Sequence, residues 1–380
     1  MKVESSIYQA GKGWSDELGG ADSERTLVFV FGAFEYAEEP ARFEEVRAAY
    51  PSSEIIGCST SGELSTRGFH TGSLSLLAVR FERSKLAMSV VELTGDASAR
   101  ERGKALIEGL EPEGLSAVFV LSNGAHANGS RFMEGMNEAM PEGATLSGGV
   151  ASAFESFERM WTLAGGELSF DRAVAVGIYG EHVLVSHGTR GGWDPLGPTR
   201  SVTRSVENVV YELDGEPALD VYKKYLGKHA DELPQSGLFF PLEVHPPGDD
   251  ENPIIRAIAD VDEAQSALVL SGDVPEGWKA RMMRGSMDRL VGGAAGAVAD
   301  ALEGARGDEA VCLTVSCLGR RLVLGERVDE EYEVISELLP EGVTVAGFYS
   351  HGELSPKVLG RLCDHRNQMI AVTLISEARA

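Results

Sequence analysis

Two short stretches place the same chemistry at the same spacing. Cys58-Ser59-Thr60-Ser61-Gly62-Glu63-Leu64-Ser65 and Phe348-Tyr349-Ser350-His351-Gly352-Glu353-Leu354-Ser355 each set small or hydroxyl-bearing residues just ahead of one carboxylate. A carboxylate receives an ammonium or guanidinium group, and Ser59, Thr60, Tyr349 and Ser350 add neutral hydrogen-bonding groups beside it. If Glu63 and Glu353 met across a pseudo-symmetric interface, they would form a site for a cationic group. Each would serve its own loop equally well, by capping a helix or accepting backbone N–H bonds. Arg320 could grip a ligand carboxylate bidentately, or hold Glu353 in an internal ion pair. With both kinds of charge in place, an amino acid would find a complement on each side.

Cys58, Cys317, His351 and His365 supply the types needed for a thiol nucleophile and its base. No Cys-x-x-Cys, no pair of histidines at helical spacing and no nucleophile elbow fixes their geometry, and a buried cysteine is ordinarily a small apolar residue. The reading is therefore of a protein that is not an enzyme and holds no metal. Haem needs only one axial His or Cys, so His126, His187, His351 and Cys58, all in loop contexts, keep that cofactor open as an alternative to none. Between Leu121 and Glu134 lies a small, polar cluster with Asn123, His126 and Asn128. It occupies a strand-to-helix junction, where ligands of open α/β sheets gather, and Asn128 could cap the following helix.

The elements that must position these residues recur. Thr26–Gly32 and Ala310–Ser316 are β-branched, apolar runs of strand length, followed by helical segments 41–50 and 330–339 that stop at Pro51 and Pro340. Apolar strands then enter the two Gly-Glu loops, and further strands, 73–81 and 368–376, leave them. A strand at 117–122, a helix at 131–140 and a strand at 145–151 fit a third copy, in which Gly166-Glu167-Leu168-Ser169 reads either as its Gly-Glu loop or as an ordinary hairpin turn. Residues 278–305 read as one long helix carrying Met282 and Met283. The expected fold is α/β, with mixed sheets flanked by helices, duplicated β-α-β-β units and the two Gly-Glu loops facing a shared cleft. Its parts are a lead-in (1–25), an N-terminal domain (26–215) and a C-terminal domain (216–380).

The 380 residues, 43% of them hydrophobic, suffice for two domains, and 59 acidic against 34 basic residues give a net charge of −25. That charge repels DNA, RNA and anionic lipid at long range, although it would also serve solubility alone. No apolar run approaches a membrane span and the first residues lack the core of a signal peptide, so a cytoplasmic location is expected. Four irregularly spaced cysteines do not make a disulfide framework.

Taken together, Gly57-Cys58-Ser59-Thr60-Ser61-Gly62-Glu63, Asn123-Gly124 with Asn128-Gly129, Ser147-Gly148-Gly149 and the stretch from Val202 to Gly215 resemble the N-terminal part of the FIST family of sensory domains. Ser316-Cys317-Leu318-Gly319-Arg320, Gly347 to Glu353 and Asp364-His365-Arg366-Asn367-Gln368 resemble its C-terminal part. The resemblance covers most of residues 26–376 in family order. It implies a bacterial or eukaryotic signal-transduction sensor that binds a small polar ligand, amino acids among them, at the residues above. Some similar proteins bind haem and sense nitric oxide. The chain leaves no room for an output module, so the expected partner is a separate signalling protein such as a kinase or cyclase.

Overall fold

The computed structural model describes the chain except for residues 125–128, 155–159, 249–252, 305–309, 357–359, 361 and 379–380. It is a mixed α/β protein in which one four-stranded unit occurs three times. In each unit a central strand runs parallel to a loop strand, and a return strand lies antiparallel to the central one. An outer strand then pairs with the return strand. The central strands are Thr26–Ala33, Leu115–Ser122 and Ala310–Cys317; the loop strands are Glu54–Thr60, Thr145–Val150 and Thr344–Ser350. The return strands are Ser73–Arg80, Arg172–Tyr179 and Ile370–Glu377. The outer strands are Lys2–Gln9, Lys85–Glu92 and Val183–Arg190, so the stretch read as a lead-in supplies the first of them. Each loop strand is joined to its central strand through helix: Pro40–Ala49, Gly129–Ala139, and Leu318–Leu324 with Asp329–Leu338.

The three units are interlocked by exchange. The segment after the first loop strand, Glu63–Ser65, pairs in the third unit's sheet. The segment after the third, Gly352–Pro356, pairs in the second unit's sheet, and Thr162–Ala164, after the second, pairs in the first. Three glycines explain the register. A Cβ on Gly57, Gly148 or Gly347 would run into the carbonyl oxygen of Val30, Val120 or Thr314 on the neighbouring central strand. Opposite those glycines lie Leu163, Leu354 and Leu64.

Apolar side chains from all three sheets share one core. Phe29 meets Phe119 edge-on with ring centroids 5.2 Å apart, and Phe31 meets Phe348 at 4.7 Å. Central strands covered on both faces are largely apolar, which is why they read so plainly in the sequence. The separate cores under the helices, such as Phe132 and Met136 against Leu146, close the outer faces.

Residues 193–285 form an inserted module with its own eight-stranded sheet and a core of Val202, Tyr222, Leu242 and Leu268. The Asp214-Gly215 turn, where the domain boundary was expected, joins two paired strands of this module. The long helix expected over 278–305 is corrected here: Lys279–Gly285 is a strand and the helix is Met287–Gly304. Met282 pairs opposite Leu242 and packs into the module's core, so its burial follows a strand's period rather than a helix's. Among the described residues, no helix is long and apolar enough to cross a membrane.

Candidate functional site

At the ends of the loop strands the three chain segments bind one another in a ring. Ser152 N–H donates to Ser59 C=O (2.9 Å), His351 N–H to Val150 C=O (3.2 Å) and Ser61 N–H to Tyr349 C=O (3.0 Å). Donors and acceptors fall at equivalent positions of the repeat. The ring fixes the backbone at the point where Glu63 and Glu353 leave it.

Both carboxylates hold their own loops. Thr60 Oγ1 donates to Glu63 Oε1 at 2.5 Å, and Ser350 Oγ donates to Glu353 Oε1 at 2.7 Å, three residues back in each case. Ser73 Oγ reaches the second oxygen of Glu63 at 2.6 Å, and Met369 N–H that of Glu353 at 3.1 Å. Both side chains are fully buried. Burial pushes the Glu63 carboxyl up to about 7 and the Glu353 carboxyl up to about 8, against the opposing pull of these hydrogen bonds. In the middle unit, Thr162 occupies the equivalent position, facing Cys58 as Glu63 faces Phe348. Gly165-Gly166, at φ 59° and 90°, makes the turn of a hairpin and leaves Glu167 exposed, so the third Gly-Glu-Leu-Ser is a turn.

The expected shared cleft divides. Thr60, Ser61, Gly62 and Glu63 line a cavity of about 520 Å³ together with Phe34, Glu35, Ala153, Phe154 and Arg321. This is the size range of small-molecule sites. Glu63 is a fully buried part of its lining, with the Thr60 hydroxyl on one carboxyl oxygen, and Glu35 is an exposed part. Among the described residues the buried Ser61 hydroxyl has no hydrogen-bond partner. Arg321 lies between two aromatic rings, with its guanidinium carbon 4.2 Å from the Phe154 centroid and 5.2 Å from that of Phe69, and donates to the Ser61 carbonyl. The cavity thus offers a cation and carboxyl groups in one lining.

Arg320, the cation expected here, points the other way. It is fully buried, bonds Glu331 through Nε (3.0 Å) and Nη2 (2.6 Å), and donates to the carbonyls of Gly191 and Leu290. Tyr349 Oη and Ser316 Oγ complete the shell of Glu331 at 2.8 and 2.7 Å. Tyr349 is therefore part of an internal network, and Ser350 serves Glu353. Arg321 was missed because neighbouring positions on a short helix face about 100° apart and the sequence does not say which faces inward.

Other candidates are placed as follows. Cys58 and Cys317 are buried, which pushes both thiols up and keeps them protonated. Ser59 Oγ accepts the Trp161 N–H at 3.0 Å. Asn123 is buried, and its amide donates to the carbonyls of Met160 and Phe170 at 2.5 Å each. Asn123 and His351 line a second cavity of about 210 Å³ with His365 and Asn367. Asn128 and His126 lie outside the described residues. A larger depression of about 720 Å³ surrounds Lys2, Arg25, Arg80 and Glu82 and contains none of the loop residues.

Among the described residues, Cys58, His187 and His351 are not placed to ligate haem. Cys58 is sealed in the core, and both ring nitrogens of His187 are within 2.9 Å of the Thr373 and Thr189 hydroxyls. His351 is buried beside a cavity of about 210 Å³, below the range of drug-sized sites, and burial lowers its imidazole to about 4.

Residues 26–216 match the FIST N domain, and residues 218–356 the FIST C domain. An uncharacterized protein of Methanocaldococcus jannaschii is 25% identical over 216 residues; the match takes in 53% of this chain and 41% of that protein. A crystal structure of cyanuric acid hydrolase from A. caulinodans is similar with a TM-score of 0.37 and 10% identity, over 100% of this chain and 99% of that one. Likeness at that level says nothing of shared chemistry.

Proposed function

The chain belongs to the FIST family, whose domains are sensory domains of signal transduction, and on that premise we propose that it binds a small zwitterion of the amino-acid class in the 520 Å³ cavity. The observation that carries this reading is the pairing of Arg321 with Glu63 and Glu35 around one space. The ligand carboxylate meets the guanidinium, which its two aromatic neighbours hold in place. The ammonium meets the Ser61 and Thr60 hydroxyls, with the carboxyls of Glu63 and Glu35 in the same lining.

The proposed role is that of a receptor rather than a catalyst. The cavity is lined by the first unit's loop, the second unit's Ala153 and Phe154, and the third unit's Arg321. A ligand there bears on all three units, and a change in their packing is what a separate signalling protein, such as a kinase or cyclase, would read. Binding by the native state alone raises stability by about 2.7 kcal/mol at a hundredfold excess over Kd. Thermal melting across a set of amino acids and simple amines tests the proposal. An amino acid should raise the melting temperature saturably in the wild type and fail to do so in Arg321→Met; no response to any zwitterion would contradict the reading.

A further inference from the structure

A further cavity, about 540 Å³, lies between the inserted module and the helix Gly129–Ala139, and its lining sets one buried arginine, Arg256, among three carboxylates, Glu134, Glu138 and Asp364. Ser130, Met133, Ile254, Trp278, Leu362 and Arg256 are among its lining residues. Arg256 is only 5% exposed. Its Nη1 donates to the His365 carbonyl at 2.8 Å and its Nη2 makes a long contact of 3.4 Å to Ser130 Oγ. Among the described residues its Nε has no hydrogen-bond partner and no carboxylate forms a salt bridge with it. Gly272 makes room for the guanidinium, since a Cβ there would lie 2.9 Å from its Cζ.

The neighbouring acids are engaged elsewhere. Asp364 pairs with Arg366 at 3.2 Å, and Asp273 with Arg131 at 3.1 Å. On the cavity wall Glu134 pairs with Arg131 at 3.2 Å, and Glu138 with Arg100. A buried guanidinium without an ionic partner is costly, and native proteins ordinarily supply one. Two further features beside it favour an anion. The helix Gly129–Ala139 begins there, with its positive end near Ser130, and His365 Nδ1 is also buried without a partner.

We propose that this cavity binds a small organic carboxylate, with its carboxylate on Arg256 and its apolar body against Trp278, Ile254 and Met133. The bound anion supplies the ionic partner that the described residues do not give Arg256. It also ties the inserted module to the second unit's helix, because Arg256 and Trp278 belong to the module while Ser130 and Met133 belong to the helix. This site is separate from the one at Arg321 and stands whatever occupies that one.

Titration of the full chain with benzoate, by calorimetry and melting, against sodium chloride at matched ionic strength, tests the proposal. Saturable binding is expected in the wild type. Arg256→Met should weaken it by a factor on the order of 10 to 100, the worth of a charged hydrogen bond. Ile254→Trp, which fills the cavity from a half-buried position, should abolish it, and this variant carries the test should Arg256→Met fail to fold. Arg321→Met should bind benzoate as the wild type does. No binding beyond the chloride control, or wild-type affinity in both Arg256→Met and Ile254→Trp, overturns the assignment.

Discussion

The loops at 57–65 and 347–355 have the same entering glycine, the same hydroxyl three residues before the carboxyl and the same exchange into a neighbouring sheet, yet Glu63 lines a cavity while the space beside Glu353 is filled. Around Glu63 the packing stops short, leaving Arg321, Phe154 and Glu35 about a cavity. Around Glu353 the space is filled. Gln368 is fully buried against Gly319, its side-chain amide donates to the Leu238 carbonyl of the inserted module, and Trp193 Nε1 donates to its backbone carbonyl at 2.6 Å. The Gly-Glu motif is a loop staple in both places. What makes one of them a candidate site is what its neighbours leave uncovered.

The adjacent arginines repeat that lesson at the scale of one peptide bond, and their exchange is the most forceful way to break it. Arg320→Met removes the partner of a buried carboxylate and should cost about 3–5 kcal/mol, read as a fall in denaturation midpoint. Arg321→Met should change stability far less while removing ligand binding. A stable Arg320→Met protein would show that Glu331 does not depend on it.

Titration separates the loops next. Both glutamates titrate higher in the folded chain than the ordinary 4.5, at about 7 and about 8. A raised folded value means stability that is full below the unfolded value and lost as pH rises. Stability should therefore decline from about pH 4.5 through 7 for Glu63, and on through 8 for Glu353, by on the order of 3 kcal/mol or more for each. Gln resembles the protonated acid, so Glu63→Gln should flatten the first part of the decline and Glu353→Gln should flatten the whole window less its neighbour's share. A pH-independent melting temperature between 5 and 8 in the wild type would count against both.

The smallest effect belongs to the third Gly-Glu-Leu-Ser. Glu167 is exposed on a hairpin, and Glu167→Gln should move stability by no more than about 0.5 kcal/mol and leave binding alone. A loss comparable with that of Glu63→Gln would restore it as a working copy.

The sequence showed the first and last units clearly, because their β-branched strands, helix-ending prolines and Gly-Glu loops stand in the same order. The middle unit was half visible. Its strands and helix were legible, but Thr162 replaces the glutamate and a longer connection, 151–161, separates it from the loop strand. A matching tetrapeptide four residues further on drew the alignment out of register. Exchange of segments between sheets left no local trace, since each segment's own residues do not say which sheet it joins. Met282 and Met283 were misplaced onto a helix because apolar residues on a short buried strand and on a helix look alike until their partners are known.

The measurement that bears most directly on the account is amino-acid binding by calorimetry at one pH near 8 in wild type, Arg321→Met, Glu63→Gln and Glu353→Gln. Binding should be lost in Arg321→Met, weakened in Glu63→Gln and intact in Glu353→Gln. Binding that survives Arg321→Met but disappears with Glu353→Gln would place the site in the sealed loop and contradict this assignment.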